Sequence, residues 1–269
     1  MRICFVGGGN MAAALIGGLL RAGTPRPDIR AIEVDAARRD HLQRELGVAA
    51  LPAPDASVAG VDVIVLAVKP QQMRDACRAL QPFVRAQLVL SIAAGIRARD
   101  LARWLNTQCV VRAMPNTPAL VGKGISGAAA TAGVSDAQRQ MAESILHAAG
   151  SVVWVADDGQ LDAVTALSGS GPAYVFYFIE ALIDAARAMG FDAAQARQFA
   201  VETVTGAAHL AAASADPLET LRARVTSKGG TTAAAIARME ADGLKQRIVD
   251  AVLAARKRAA ELGDEFGRD

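Results

Sequence analysis

A glycine-rich turn behind the first apolar segment constrains the fold of this chain more than any other feature. Residues 2–6 read as a strand, Gly7-Gly8-Gly9-Asn10-Met11-Ala12 follows it, and a helix is predicted from near Met11. In the pattern G-x-G-x-x-A, the first glycine permits a tight turn, the second lets a phosphate approach the backbone, and the small Ala12 permits close helix–strand packing. This context predicts dinucleotide binding at a helix N-terminus.

Short apolar runs recur through the first 155 residues. Candidate strands cover residues 2–6, 29–34, 61–66, 87–92, 110–113 and 151–155. Several of them are nearly continuous Val, Ile and Leu, which is typical of strands covered on both faces by crossover helices. The sequence therefore predicts an α/β fold in which residues 1–156 form a Rossmann-like, doubly wound and mostly parallel sheet.

The strand pattern ends at Asp157, and the rest of the chain shows only the starts and ends of helices. Predicted caps are Asp192 with Gln195 and Asp216-Pro217 with Glu219, and predicted helix ends are Gly190, Gly243 and Gly263. Residues 157–269 are therefore predicted to form a second, all-helical domain.

One predicted helix, over residues 174–189, bears on assembly. Its polar residues Glu180, Asp184 and Arg187 form one narrow stripe, and a helix that is apolar nearly all round must be buried. A domain of about a hundred residues has limited capacity to enclose such a helix, so we predict burial against a second subunit in an obligate dimer. Burial within its own domain is the alternative.

Charge and cysteine content narrow the class of protein. Lys and Arg total 29 against 27 Asp and Glu, a formal charge of +2, and no basic run supplies the field that a nucleic-acid binder needs. Cys4, Cys77 and Cys109 form no C-x-x-C pair, which favours a reducing compartment and predicts the cytoplasm. The longest apolar run near the N-terminus, residues 11–20, is too short to span a bilayer, so no membrane segment is expected.

Several chemistries lack their motifs. His41, His147 and His209 are isolated, and the chain contains no H-E-x-x-H, no G-x-S-x-G and no G-x-x-x-x-G-K-[ST]. We therefore predict no metal site, no serine-hydrolase site and no nucleoside-triphosphate loop.

Two later loops leave predicted strand ends, at residues 67–70 and 93–95, and in a doubly wound sheet both face the ligand crevice. Residues 114–118 hold two prolines and form a candidate rim. Residues 167–172 and 227–232 combine small and hydroxyl residues before a helix, which suits either a carboxylate site or a plain capping turn.

Glu33 stands near the end of the second strand, followed by Asp35. A carboxylate there can accept hydrogen bonds from the adenosine ribose and repel a 2′-phosphate, which favours NAD over NADP, whereas Arg38 and Arg39 favour NADP. The alternative is that these residues are solvated charges at a helix start.

Six segments, taken in order, carry a resemblance to a known family: residues 5–12, 67–70, 91–95, 112–118, 167–174 and 229–232. They resemble the Δ1-pyrroline-5-carboxylate reductases, the last enzymes of proline biosynthesis. The resemblance implies a Rossmann domain followed by a helical domain for dimerisation and substrate binding. It also implies NADPH or NADH as cofactor, and dimers that often assemble into a decamer.

The resemblance further implies the site. Gly9, Asn10 and Met11 would hold the pyrophosphate, Ser227 and Thr231 the substrate carboxylate, and Thr232, the catalytic residue, the ring nitrogen. The full cofactor set is Gly7, Gly9, Asn10, Met11, Ala12, Glu33, Ala67, Val68, Lys69, Pro70, Ala93, Ala94, Gly95 and Asn116, and the substrate set is Ser227, Gly230, Thr231 and Thr232.

The chain departs from the family pattern at two places. Lys228 stands where members usually have Pro, and Ala215-Asp216 where they often have Glu-His. The main rival family, the β-hydroxyacid dehydrogenases, uses a lysine in a K-x-x-N arrangement, which neither Lys245 nor Lys257 has. A non-enzymatic redox sensor is a further alternative, but it needs no substrate anion site such as residues 227–232.

Overall fold

A computed structural model of the chain describes residues 1–267. Its strands are β1 (Ile3–Val6), β2 (Ile29–Ile32), β3 (Ala49–Leu51), β4 (Val63–Leu66), β5 (Leu88–Ser91), β6 (Val110–Met114), β7 (Gly124–Ala130) and β8 (Gly150–Trp154). Its helices are α1 (Asn10–Arg21), α2 (Ala36–His41), α3 (Pro70–Leu80), α4 (Ala98–Leu105), α5 (Asp136–His147), α6 (Asp158–Val164), α7 (Gly171–Ala188), α8 (Ala193–Ala213), α9 (Leu218–Arg224), α10 (Thr231–Ala241) and α11 (Leu244–Phe266). The predicted fold class is confirmed.

The strands form one eight-stranded sheet in the order β3-β2-β1-β4-β5-β6-β7-β8. All neighbours are parallel except β6 and β7. Val6 pairs with both Ile32 and Leu66, and Ser91 pairs with both Leu66 and Arg112, so the carboxyl ends of five strands align at one edge. The strand order reverses between β1 and β4, which is where such sheets bind ligands.

Each face of the sheet carries its own apolar core, which explains the unbroken apolar strands. Ile3 and Phe5 of β1 pack in one core, together with residues of α1 and α5. Cys4 and Val6 point to the opposite face and pack in the other, with residues of α3 and α4. All four side chains are at most 4% exposed.

Two strands were not predicted from the sequence. β3 has only three residues, and β7 reads Gly-Ile-Ser-Gly-Ala-Ala-Ala, without the Val, Ile and Leu run of the other strands. Glycine and alanine have low strand propensity, so β7 is held by its pairing with β6 and β8 rather than by its own sequence.

The chain divides into two compact units. Unit 1 comprises Met1–Ser170 and the residues from Ala255 onward, and unit 2 comprises Gly171–Ala254. The predicted boundary after residue 156 follows the change from strand to helix, whereas in the structure α6 and the second half of α11 belong to the same compact unit as the sheet.

Ion pairs with two largely buried arginines, Arg97 and Arg112, fasten α6 within unit 1. Asp158 pairs with Arg112 of β6, and its second oxygen accepts the N–H of Ala98 at 3.1 Å. Asp162, one turn later, accepts a hydrogen bond of 2.7 Å from Arg97, whose side chain is 12% exposed. Burial acts to lower the pKa of the Arg97 guanidinium, but its hydrogen bond to Asp162 and the nearby carboxylates outweigh this and raise it.

Unit 2 contains α7 to α10 and the first half of α11. Asp192 and Gln195 form the predicted capping box of α8, with a 2.8 Å bond from Gln195 N–H to Asp192, and Phe191 packs edge to face on Phe199 with centroids 5.2 Å apart. Positive φ angles of +95° and +66° at Gly190 and Gly243, just past α7 and α10, confirm these predicted helix ends.

Two predicted helix signals are wrong. Gly263 does not end a helix, because α11 runs on to Phe266. A Cβ at Gly263 would lie 2.5 Å from Cζ of Arg97, so this glycine instead allows the guanidinium to approach the helix. Asp216 does not cap α9, whose N-cap is Pro217; its carboxylate accepts a 2.6 Å bond from Arg224.

Helix α7 exposes its apolar surface in the single chain. Ala186 is its one buried residue, whereas Phe176, Tyr177 and Phe178 are 59%, 77% and 46% exposed. Burial within its own domain is therefore wrong. By length and composition alone, the helical segment Asp158–Ala188, in which an 18-residue window has a mean hydropathy of 1.2, could cross a membrane. An apolar helix packed between two subunits meets the same test.

The ion pairs that hold α6 lead to a stability prediction. Asp162→Ala leaves the buried Arg97 guanidinium without its closest partner, a change that costs about 3 kcal/mol in comparable buried pairs. We expect a lower urea midpoint at fixed protein concentration. Asp75→Ala, which removes the partner of the exposed Arg78, is the matched control and is expected to leave the midpoint unchanged.

The exposed α7 surface leads to a prediction about assembly. Sedimentation at low micromolar concentration is expected to show a dimer, and a stable, active monomer would contradict it. Phe178→Asp removes about 2 kcal/mol of burial in each of two symmetry-related copies, which raises the dimer dissociation constant about a thousandfold. Glu180→Gln, on the polar stripe, is the control that should stay dimeric.

Candidate active site

The glycine-rich turn after β1 lies against the loop after β4. Gly7 has φ +102°, and its N–H donates to Ile32 O at 2.8 Å. A Cβ at Gly7 would lie 2.7 Å from Ala67 O, so only glycine fits at this position. The first glycine of the pattern therefore acts as predicted, closing the turn at the point where the strand order reverses.

The N-terminus of α1 is open to an anion. Gly9 is the N-cap, and within residues 1–267 neither a side-chain cap nor an acidic residue of the first turn satisfies the free N–H groups. A Cβ built on Gly9 meets nothing within 4 Å, so the space beside the backbone is open. Asn10 is exposed, and Ala12 is 1% exposed in the core, as helix–strand packing requires. The turn fits a dinucleotide pyrophosphate.

The loops after β4 and β5 reach the same edge of the sheet. Ala67 N–H donates to Val6 O at 2.8 Å, and Ile92 N–H donates to Leu66 O at 3.0 Å. Val68 is half-buried, Lys69 is the exposed N-cap residue of α3, and Pro70 begins that helix. The structure therefore brings residues 67–70 next to the glycine turn, as predicted.

The loop after β5 packs on the C-terminal helix α11. Ala93 is 7% exposed and Ala94 half-buried. Gly95 has φ +73°, and a Cβ there would lie 3.0 Å from the ring of Phe266. Gly95 is thus packed on α11, and a side chain at this position would meet Phe266.

Two predicted cofactor residues have other partners. Asn116, 8% exposed, donates to Ser168 O at 3.1 Å and accepts the N–H of Ile125 at 2.9 Å. These bonds fasten the rim loop to β7 and to the turn before α7, so Asn116 has a structural role, and its contact with the cofactor stays a prediction. Glu33 is 6% exposed, and its carboxylate accepts the N–H groups of Gly8 at 2.7 Å and Asp35 at 2.9 Å. The alternative that Glu33 is a solvated charge is therefore wrong.

The hydroxyl-rich turn of unit 2 precedes α10. Gly229 has φ +73°, and Gly230 is the N-cap with its N–H bonded to Ser227 O at 3.0 Å. A Cβ at Gly230 would lie 2.5 Å from Oγ of Ser227, so glycine lets this hydroxyl reach over the turn. No side chain among the described residues caps α10, and Thr232 is half-buried at its first turn. Hydroxyls and free N–H groups suit a carboxylate.

The cysteines and histidines lie outside both glycine-rich turns. Burial raises the pKa of Cys4 and Cys77 to about 12, so both thiols stay protonated at neutral pH. His147 lies 3.4 Å from Glu143 on α5. Among residues 1–267 no group of His, Cys, Asp and Glu is arranged to hold a metal ion.

The sequence did not indicate the residues that support the loop after β5. Arg97 follows this loop and bonds Asp162 at 2.7 Å and Ala260 O at 3.2 Å, and Phe266 packs on Gly95. The spacing of Asp158 and Asp162, four residues apart on one face of α6, is the signal that could have suggested paired cationic partners.

Two family models match the chain. Residues 158–262 match the model described as pyrroline-5-carboxylate reductase dimerisation. Residues 2–95 match the one described as NADP oxidoreductase, coenzyme F420-dependent.

Curated relatives match over the whole length. The pyrroline-5-carboxylate reductase of Pseudomonas aeruginosa is 45% identical, with 99% of this chain and 98% of that protein covered. The pyrroline-5-carboxylate reductase of Haemophilus influenzae is 41% identical, with 98% of each covered.

Solved structures show the same similarity. A pyrroline-5-carboxylate reductase from Coxiella burnetii has a TM-score of 0.91 and 38% identity, with 97% of this chain and 98% of that chain covered. A pyrroline carboxylate reductase from Plasmodium falciparum, solved with NADP bound, has a TM-score of 0.87 and 26% identity, with 98% of each covered.

Proposed function

The chain belongs to the pyrroline-5-carboxylate reductase family, and we propose which of its residues carry the reaction. The reaction is the NAD(P)H-dependent reduction of the C=N bond of 1-pyrroline-5-carboxylate to L-proline. The residue assignment rests on a feature that each unit shows once. α1 in unit 1 and α10 in unit 2 each begin at a glycine-rich turn, and neither has a side-chain cap at its N-terminus.

The cofactor site is assigned to unit 1. The turn of Gly7 and Gly9 and the N–H groups of Asn10 and Met11 bind the pyrophosphate, and residues 67–70 with Ala93 and Ala94 border the ribose and nicotinamide. The support is the open space at Gly9, the contact between Gly7 and Ala67, and the common strand edge. When bound, the nicotinamide supplies a hydride to the substrate.

The substrate carboxylate is assigned to residues 227–232 of unit 2. Ser227 and Thr231 donate hydroxyl hydrogen bonds, and the N-terminus of α10 adds N–H groups and the positive end of its dipole. Gly230 makes room for Ser227, and Thr232 reaches the ring nitrogen. Lys228 is exposed beside this turn, where its charge favours an anion.

No protein acid is needed in this scheme. The imine nitrogen takes its proton from water, and the resulting iminium is the better hydride acceptor. The side chains assigned to the substrate, Ser227, Thr231 and Thr232, carry hydroxyl groups and no carboxyl, imidazole or ammonium group. The protein therefore contributes by binding the carboxylate, orienting the C=N bond through Thr232 and aligning two reactants.

We further propose the biological setting. The exposed apolar surface of α7 is placed in a subunit interface rather than a membrane, and the dimers assemble into a decamer as the family resemblance implies. The free cysteines Cys4, Cys77 and Cys109 support a cytoplasmic location. The direct test is oxidation of NADH and of NADPH on addition of pyrroline-5-carboxylate. A 3-hydroxy acid with NAD+ is the substrate pair that the rival β-hydroxyacid dehydrogenase would use instead.

Thr232 provides the first kinetic prediction. Thr232→Ala loses one oriented hydrogen bond and is expected to lower kcat/KM for pyrroline-5-carboxylate about tenfold to a hundredfold, or ~1.4 to 3 kcal/mol. Thr232→Ser keeps the hydroxyl and should recover most of the loss. If the serine variant were as slow as the alanine variant, the hydroxyl would not be the group that acts.

The acid-free scheme predicts the behaviour of the histidines. Substituting His41, His147 or His209 singly by Gln is expected to leave kcat within about threefold, because a true general acid accounts for about a hundredfold or more. A folded, dimeric histidine variant that lost activity by the larger factor would identify that histidine as the proton donor.

A further inference from the structure

The carboxylate of Glu33 lies beneath the glycine turn, on the side away from solvent. Oε2 accepts the Gly8 N–H at 2.7 Å, and Oε1 accepts the Asp35 N–H at 2.9 Å. One side chain thus bonds the turn after β1 to the turn between β2 and α2. A charge that is only 6% exposed is tolerated when strong hydrogen bonds compensate its desolvation, and both backbone donors here are of that kind.

The packing at Gly8 shows how closely the turn rests on Glu33. A Cβ at Gly8 would lie 3.3 Å from both Cγ and Oε2 of Glu33 and 2.8 Å from Cδ1 of Leu42. A side chain at residue 8 would therefore have to displace the end of Leu42 and shift Glu33 by a few tenths of an ångström. Its N–H is committed to Glu33, which leaves the following N–H groups, at Gly9 and in the first turn of α1, for a ligand.

We propose that Glu33 is a positioning residue for the cofactor and does not select between NADH and NADPH. It fixes the plane of the Gly8 peptide from the buried side, so that the N–H groups that follow stay aimed at the pyrophosphate. This inference rests on the proposed assignment of the glycine turn as the cofactor site, and it replaces the ribose contact that the sequence suggested for Glu33.

Selection between NADH and NADPH is then assigned to a guanidinium at the same turn. Arg39 donates to the carbonyls of Glu33 and Val34, each at 2.8 Å, and is committed to closing the turn. Arg38 keeps 53% of its side chain exposed, with Nη1 4.0 Å from Oε2 of Glu33. A 2′-phosphate at this turn would meet Arg38, with the charge of Glu33 buried behind it.

The test measures NADH and NADPH binding to the dimer without substrate, from the fluorescence of the reduced nicotinamide. In Glu33→Gln the amide oxygen can accept only one of the two N–H groups, and the NH2 group faces the other donor. We expect both dissociation constants to rise by about tenfold, with their ratio shifting toward NADPH by less than about fivefold, the most that loss of the partly exposed Glu33–Arg38 pair accounts for. At saturating cofactor, kcat should stay within about twofold.

Matched variants keep the result interpretable. Glu45→Gln, an exposed carboxylate on the turn after α2, should change neither constant. Arg38→Gln should weaken NADPH about tenfold and leave NADH within about twofold. Gly8→Ala, whose Cβ would lie 2.8 Å from Cδ1 of Leu42 and 3.3 Å from Glu33, should displace the turn and weaken both cofactors together, which tests the proposal if Glu33→Gln does not fold.

Two results would overturn the proposal. A Glu33→Gln protein in which NADPH gains about tenfold over NADH would show that the carboxylate faces the 2′ position. A protein with both constants unchanged would show that Glu33 does not position the turn. A wild-type protein that binds both cofactors yet does not reduce pyrroline-5-carboxylate would contradict the assigned reaction alone, and one that binds neither would contradict both.

Discussion

The approach of Gly7 to the carbonyl of Ala67 is the contact on which the cofactor edge depends. It joins the turn after β1 to the loop after β4 at the place where the strand order reverses. Hydrogen bonds from Gly7 to Ile32 and from Ala67 to Val6 fix both segments to neighbouring strands. Any side chain at residue 7 would separate them, because the atoms it meets are backbone, which cannot move aside without breaking the sheet's register.

The sequence predicted those parts of the fold whose signals are local. Strands covered on both faces need unbroken apolar runs, and the residues of β1, β4 and β5 supply them. β7 was not predicted because Gly124–Ala130 has no such run. It forms a strand through pairing with residues distant in the chain. The prediction for Gly263 was wrong for a similar reason. A glycine that ends a helix cannot be distinguished in the sequence from one that makes room for an arginine side chain.

The same division holds for the candidate site. The turn at residues 7–12 was predicted because strand, glycines and helix follow one another directly, and the turn at residues 227–232 because hydroxyl residues and glycines directly precede a helix. The partners of Glu33 and Asn116 were not, since Gly8 lies 25 residues from Glu33 and Ser168 lies 52 residues from Asn116. A polar side chain placed next to a motif is equally consistent with ligand binding and with fixing the motif's shape. Only the direction of its hydrogen bonds distinguishes the two roles.

The two units differ in how completely they bury their own apolar residues. The sheet of unit 1 has a core on each face, whereas the buried residues of unit 2 are three alanines, Ala186, Ala196 and Ala200. Burial is the main favourable term in folding, so helices that gain so little of it alone must take it from a second subunit. The turn at residues 227–232 belongs to unit 2. We therefore expect the carboxylate site assigned to this turn to depend on assembly, whereas the glycine turn of unit 1 is supported by that unit's own cores.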